Sequence, residues 1–261
     1  MWFRIKKAFV YYLCSHHKKG HGIHSPFVFE LITQVFRDKN KYPEYKVAKN
    51  IAHQLKTDSS IIETPLFGAK ALNKIKSQKI SSIAKKSSIS VKYGQLLFRL
   101  VRYANAQNIL ELGTCLGVST AYLALANEKA QIYTIEGSEP LLNIAREKLL
   151  NNNIKNVQLI AGTFEKQLQL CLAQIHSLDF VFIDGNHTYE ATLNYFEILV
   201  QHSHSNTILV FDDINWSPQM AKAWEKIKSD ARVTLTIDIF RMGIVFFRKE
   251  ILVKQHFIIR F

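Results

Sequence analysis

The chain is poor in cysteine and proline, and each scarcity excludes something. Its 261 residues include three cysteines and five prolines. Cys14, Cys115 and Cys171 form no C-x-x-C pair and no disulfide framework, which fits a reducing compartment and a cytoplasmic protein. Cys115 reads as a small packing residue rather than a nucleophile. No apolar run approaches about 18 residues, so no transmembrane helix is expected. The basic, aromatic start Met1–Leu13 runs into Cys14-Ser-His-His-Lys-Lys19 without a small-x-small cleavage site, so it does not read as a signal peptide. Acidic residues are scarce in the first 100 positions, with 5 Asp+Glu against 19 Lys+Arg, whereas the rest of the chain is close to neutral. Such a block suits nucleic acid, anionic lipid or an acidic substrate. The lysines are spread over several segments with no compact Arg-rich patch, which favours a solvated surface over specific nucleic-acid binding. His16, His17, His21 and His24 lack a companion Cys pair or an H-E-x-x-H, and Gly20 and Gly22 interrupt a helix there, so a structural zinc site is not favoured.

Against these absences stands one dense segment, Asn108-Ile-Leu-Glu-Leu-Gly-Thr-Cys-Leu-Gly-Val-Ser-Thr-Ala-Tyr122, an apolar strand that breaks at Gly113 and enters a helix near Gly117. A strand, a Gly-containing turn and a helix N-terminus make a ligand cradle, because glycine lets backbone approach closely while free N–H groups point outward. A P-loop fails, since Val118 stands where the phosphate-binding Lys belongs. A dinucleotide fingerprint is weak, because Thr114, Cys115 and Leu116 fill the loop. Glu111, two residues before the first glycine, repels a pyrophosphate but suits an ammonium or sulfonium group.

With Glu111, Gly113 and Gly117 in the pattern acid-x-G-x-x-x-G, the sequence resembles the class I S-adenosylmethionine-dependent methyltransferases. One strand later Gln131-Ile-Tyr-Thr-Ile135 ends in Glu136, followed by Gly137, about where an acid would accept both ribose hydroxyls. The resemblance implies cofactor contacts at Glu111, Gly113, Thr114, Gly117, Ser119, Glu136 and Gly137. From the loop after the third strand it adds Gly162 and Thr163, and from the loop after the fourth, Asp184. No Asn/Asp-Pro-Pro-aromatic turn of base N-methyltransferases is present, and no cysteine has the setting of a cytosine C5 nucleophile.

Periodicity organises the chain. Ser25 and Pro26 read as an N-cap and first residue of a helix to Phe36, and a second helix is expected over about Tyr45 to Leu55. Residues 66–88, rich in Lys and Ser, read as an exposed or mobile connection. Strands are expected near 108–112, 131–135, 156–160, 178–183, 206–211, 233–238 and 242–248, with helices between the first six and a hairpin joining the last two. The expected fold is α/β, a doubly wound, seven-stranded, mostly parallel Rossmann-like methyltransferase sheet over 91–261. A basic, mainly helical extension over 1–90 would cover the substrate mouth or form a homodimer contact. The tail 250–261 is open between an edge strand and an association segment.

Phe-Ile-Asp184-Gly-Asn-His187 resembles the catechol O-methyltransferase-like branch, in which an Asp after strand four binds a divalent cation. Asp212 and Asp213 stand at the matching second position after strand five. Three carboxylates converging near one site would repel unless a metal or a proton compensates. The resemblance implies a hard cation such as Mg²⁺ on Asp184, Asp212 and Asp213. His187 stands where that branch commonly carries a Lys and reads as the base that takes the acceptor's proton. The helix after strand five, with Trp216, Met220 and Trp224, reads as core packing, an apolar lid over an aromatic substrate being the alternative. The sequence thus predicts an S-adenosylmethionine-dependent O-methyltransferase acting on a small hydroxylated acceptor. The alternatives are an RNA- or ribosome-associated methyltransferase and a non-catalytic cofactor-binding or scaffold protein.

Overall fold

The structure, a computed structural model, describes residues 2–15, 22–65 and 75–261. His16, His17 and His21 therefore lie outside the described residues. The chain divides into two compact units, Asn40–His176 and a unit made of Met1–Lys39 with Ser177–Phe261. No described helix is long and apolar enough to cross a membrane.

The first elements in chain order belong to the second-named unit. Helix α1 spans Trp2–Cys14. Helix α2 spans Pro26–Glu30, with the Ser25 hydroxyl accepting from the Val28 N–H and Pro26 in the first turn, as the sequence signal requires. The helix continues to Phe36 as expected, but Leu31–Phe36 is wound as a π-helix with Leu31, Ile32, Val35 and Phe36 buried.

The unit Asn40–His176 opens with α3 (Glu44–Thr57), whose buried Tyr45, Ala48, Ile51, Ala52 and Leu55 recur at helical spacing. Part of the stretch expected as a connection is ordered. Strands β1 (Ile61–Pro65) and β2 (Ile75–Lys79) pair antiparallel, and α4 (Ile80–Ser87) buries Ile80, Ile83 and Ala84. Those three apolar residues form one short helical face among lysines and serines; average composition hid them. Residues 66–74 lie outside the described residues. Helix α5 (Val91–Ala104) then leads through Asn105, in the left-handed conformation, to strand β3 (Asn108–Leu112). Helix α6 (Val118–Ala126), β4 (Gln131–Glu136), α7 (Glu139–Asn151), β5 (Val157–Ala161) and α8 (Phe164–Leu172) complete the alternation. Strands β3, β4 and β5 pair parallel in that order, with Leu112 opposite Ile135 and Glu136 opposite Ala161.

In the other unit β6 (Leu178–Ile183) and β7 (Ser203–Phe211) are parallel around α9 (Tyr189–Gln201). Phe180, Val181, Phe182, Leu209 and Val210 are fully buried, which is why these strands read as continuous apolar runs. Helix α10 (Pro218–Ser229) buries Met220 and Trp224 as core packing. Strands β8 (Leu235–Asp238) and β9 (Gly243–Phe246) form the expected hairpin, and β9 pairs antiparallel with β7. The tail is an edge strand: β10 (Gln255–Ile258) pairs parallel with β8, Gln255 opposite Leu235. The strand order in this unit is β10-β8-β9-β7-β6. The architecture is the α/β, mostly parallel, Rossmann-like one expected, with an eighth strand beyond the seven read from sequence.

Candidate active site

In open α/β sheets ligands bind beyond the carboxyl ends of the strands, so the turns after β3 and β4 in one unit, and after β6 and β7 in the other, are the candidate positions. The turn between β3 and α6 is unusually tight. Gly113, Cys115 and Gly117 have φ of 107°, 49° and 80°, three positive values in five residues. Gly117 is also a contact requirement, because a Cβ there would lie 3.1 Å from the Ala145 Cβ of α7.

Glu111 lies beneath this turn and is completely buried. The Thr120 hydroxyl donates to its Oε2 at 2.5 Å and the Thr134 hydroxyl at 2.7 Å, while Thr134 shares a 2.6 Å hydrogen bond with Thr114. Thr134 has one hydroxyl proton and directs it to Glu111, so Thr114 donates to Thr134. The carboxylate thus anchors the loop through the Thr134 and Thr114 hydroxyls in series, Thr114 being the link to the turn, while Thr120 bonds it directly. Thr134 was not singled out from the sequence; its place as a hydroxyl between two apolar residues of a buried strand was the available signal.

Glu136 ends β4 and joins the two loops. Its Oε2 accepts from the Cys115 N–H at 2.9 Å and its Oε1 from the Ser138 N–H at 2.8 Å. Burial pushes its carboxyl up from the usual value, opposed by the N–H groups of Ser138, Cys115 and Gly137. Each carboxylate oxygen carries two acceptor sites, so the two backbone bonds leave capacity for hydroxyl donors. Gly162 belongs to the same cluster, its N–H donating to the Glu136 carbonyl at 2.9 Å; Thr163 is the N-cap of α8 and Ser119 is buried in the first turns of α6. An acid that retains acceptor capacity, beside a left-handed glycine turn, fits an S-adenosylmethionine-type ligand with its ribose hydroxyls and cationic sulfur.

In the other unit the strand ends gather charges. Asp184 follows β6, and Asp212 and Asp213 follow β7, with the Asp212 N–H bonded to the Ile183 carbonyl at 2.9 Å. His187 Nε2 lies 3.5 Å from Asp184 Oδ1. Burial pulls the His187 imidazole down, but the hydrogen bond and charge of Asp184, then Asp213 and Asp212, leave it raised above its ordinary value. Asp213 sits at φ 53°, and burial raises its carboxyl against the pull of Arg241 and His187.

The cation in this cluster is Arg241, from the turn between β8 and β9. Its Nε donates to Asp212 Oδ1 at 2.9 Å and its Nη2 to Oδ2 at 2.6 Å, a two-pronged pairing with a side chain that is 0% exposed. The Arg241 Nε also lies 3.7 Å from Asp213 Oδ1. Burial opposes the guanidinium charge, but Asp212, Asp213 and Asp184 hold it above its usual value. Burial and the repulsion of Asp184 raise the Asp212 carboxyl, with Arg241 pulling against them. The donor set as arranged does not suit Mg²⁺: both Asp212 oxygens are engaged by Arg241, and among the described residues no group of three His, Cys, Asp or Glu side chains is arranged to hold a metal ion. The positive charge that three converging carboxylates require comes from an arginine that sequence spacing could not associate with them.

Residues 110–214 match the family model described as a methyltransferase domain. The chain is 30% identical over 133 residues to a protein of Acanthamoeba polyphaga mimivirus, described as uncharacterized protein R132; the match takes in 46% of this chain and 59% of that protein's length. Its structure is similar to that of a Bacillus cereus O-methyltransferase in complex with SAH, with a TM-score of 0.57, 22% identity, and 84% of this chain and 97% of that one covered. It is similar also to the SAH-bound Podospora anserina methyltransferase PaMTH1, with a TM-score of 0.60, 15% identity, and 87% and 97% covered. The chain therefore has the fold of the class I S-adenosylmethionine-dependent methyltransferases, and its residues 110–214 carry the match to a methyltransferase domain.

Proposed function

We propose that this protein is an S-adenosylmethionine-dependent O-methyltransferase acting on a small hydroxylated molecule in the cytoplasm. The observation that carries the reading is Glu136, a half-buried carboxylate that ties the Gly113–Gly117 turn to the next strand and keeps acceptor sites for ribose hydroxyls. When bound, S-adenosylmethionine supplies a methyl group activated by its sulfonium. Glu136, Gly137, Gly162 and Thr163 line the nucleoside side in this proposal, and Gly113, Thr114, Gly117 and Ser119 shape the turn for the amino-acid side. Glu111, too buried for contact, acts through Thr114 and through its charge.

His187 accepts the acceptor's hydroxyl proton at Nδ1, because Nε2 faces Asp184, and Asp184 orients the ring and stabilises the charge it gains. Arg241 balances Asp212 and Asp213, so that the field at the acceptor is not one of uncompensated carboxylates. Methyl transfer needs in-line positioning more than covalent help, and the proton acceptor is the one chemical group it requires. The test is calorimetric titration with S-adenosylhomocysteine, followed by turnover of S-adenosylmethionine against a panel of phenols and hydroxy acids. Binding that Glu136→Ala weakens supports the reading; binding without turnover of any hydroxylated acceptor would leave a cofactor-binding protein instead.

A further inference from the structure

Helix α1 carries its apolar residues at helical spacing. Trp2, Ile5, Phe9, Tyr12 and Leu13 recur every three or four positions and fall on one stripe. Such a stripe normally turns inward, yet here Trp2 is 79% exposed, Phe9 64%, Leu13 56% and Ile5 52%, and α1 has no buried residue. The helix rests on its other side. The Tyr11 hydroxyl donates to the Ile259 carbonyl at 2.7 Å and accepts from the Phe261 N–H at 3.1 Å, and the ring packs on Phe240 at 5.3 Å. Arg4 stacks over Trp216 at 4.2 Å on this side, while at the flank of the stripe Arg260 lies over Tyr12 at 3.9 Å. These contacts fix the helix with its most apolar face outward.

Charge identifies the occupant of that face. Arg4, Lys6 and Lys7 lie on α1, Lys18 and Lys19 follow in sequence, and the first acidic residue of the chain is Glu30. The 13 residues of α1 make a rod about 20 Å long, too short to span a bilayer and long enough to lie in its surface. The stripe is a handful of side chains on one 13-residue helix, fewer than the roughly 20–30 residues a side of a stable protein interface, and a second copy would bring the same cations together. An aromatic and aliphatic stripe on a helix that carries three cations and no acid is what anionic lipid headgroups over an acyl layer complement.

We propose that α1 is an interfacial helix that docks this protein on anionic membrane surfaces, with Trp2, Ile5, Phe9 and Leu13 at the headgroup–acyl boundary and Lys6 among the phosphates. The experiment is co-sedimentation of the full chain with phosphatidylcholine vesicles, with and without about 30 mol% phosphatidylglycerol. The protein is expected to sediment with the anionic vesicles, less so in high salt, and not with the neutral ones. Phe9→Glu is expected to weaken partitioning roughly 10- to 100-fold, the scale of one lost apolar insertion. Lys6→Glu, at another exposed position, is expected to weaken it at least fivefold and carries the test if Phe9→Glu does not fold. Absence of sedimentation with anionic vesicles, or sedimentation equal for wild type and folded variants, would overturn the proposal. So would a wild-type dimer in light scattering that Phe9→Glu converts to monomer, because the face would then be occupied by a second copy.

Discussion

Replacing Arg241 by methionine keeps most of the side-chain volume and removes the guanidinium from a carboxylate that has no exposed surface. Deleting one partner of a buried ion pair costs about 3–5 kcal/mol, because the other charge remains desolvated. Arg241 is 29% exposed, so water can enter the vacated position, and the lower end of the range, about 3 kcal/mol, is expected. For a chain of this size each kcal/mol lowers the melting midpoint by about 2–4 °C, so Arg241→Met should melt roughly 6–12 °C below wild type at pH 8. The pH dependence has a definite sign. Without Arg241 the folded-state carboxyl of Asp212, already raised by burial and Asp184, rises further above its unfolded value. The folded variant then binds more protons than its unfolded chain, so stability falls as pH rises, by at most about 1.4 kcal/mol per pH unit. The deficit against wild type should be larger at pH 8 than at pH 6. Thermal melts at both values, with Asp212→Asn/Arg241→Met as the second variant, make the assay. The double variant should recover at least half of the loss, since no charge is then left buried. An Arg241→Met melt within about 0.5 kcal/mol of wild type at pH 8, or a double variant no better than the single one, would refute the assignment of Arg241 as the counter-charge.

Three further outcomes follow from the geometry. His187→Gln should lower turnover about 10²- to 10⁴-fold with S-adenosylhomocysteine affinity unchanged, and the wild-type rate should rise with pH through a value above the ordinary histidine 6.5; parallel loss of affinity would assign His187 to cofactor binding. Gly117→Val places a β-branched side chain at φ 80° against Ala145 and should cost about 1–3 kcal/mol in chemical denaturation and weaken cofactor binding; a neutral result would mean the turn is not constrained as described. Thr134→Val removes the donor to buried Glu111 and the acceptor for Thr114, with an expected loss of about 1.5–3 kcal/mol, whereas Thr134→Ser should recover most of it.

The parts legible in the sequence were those whose cause is local. Leu178–Ile183 and Ile208–Phe211 are near-continuous apolar runs, so their burial on both faces was readable. Ser25-Pro26 announced a helix start that the Ser25 hydroxyl does cap. Glu136 was singled out by its place at a strand end. What escaped depends on distance along the chain or on direction. Arg241 meets Asp212 across 29 positions and through a hairpin turn, and no spacing rule joins them. The outward face of α1 was invisible because periodicity reveals a stripe without saying which way it points. Ile80, Ile83 and Ala84 were masked by lysines and serines, although their spacing alone marks a helix. The tail strand needed the exposed edge of β8 to pair with, which the sequence of residues 250–261 does not contain.

The central proposal is cofactor binding at Glu136 and the Gly113–Gly117 turn, and one titration addresses it directly. Isothermal calorimetry of wild type and Glu136→Ala with S-adenosylhomocysteine should give saturable binding at about micromolar concentration for wild type and at least tenfold weaker binding for the variant. Absence of binding heat from wild type with both S-adenosylhomocysteine and S-adenosylmethionine, or equal affinity in the two proteins, would contradict it.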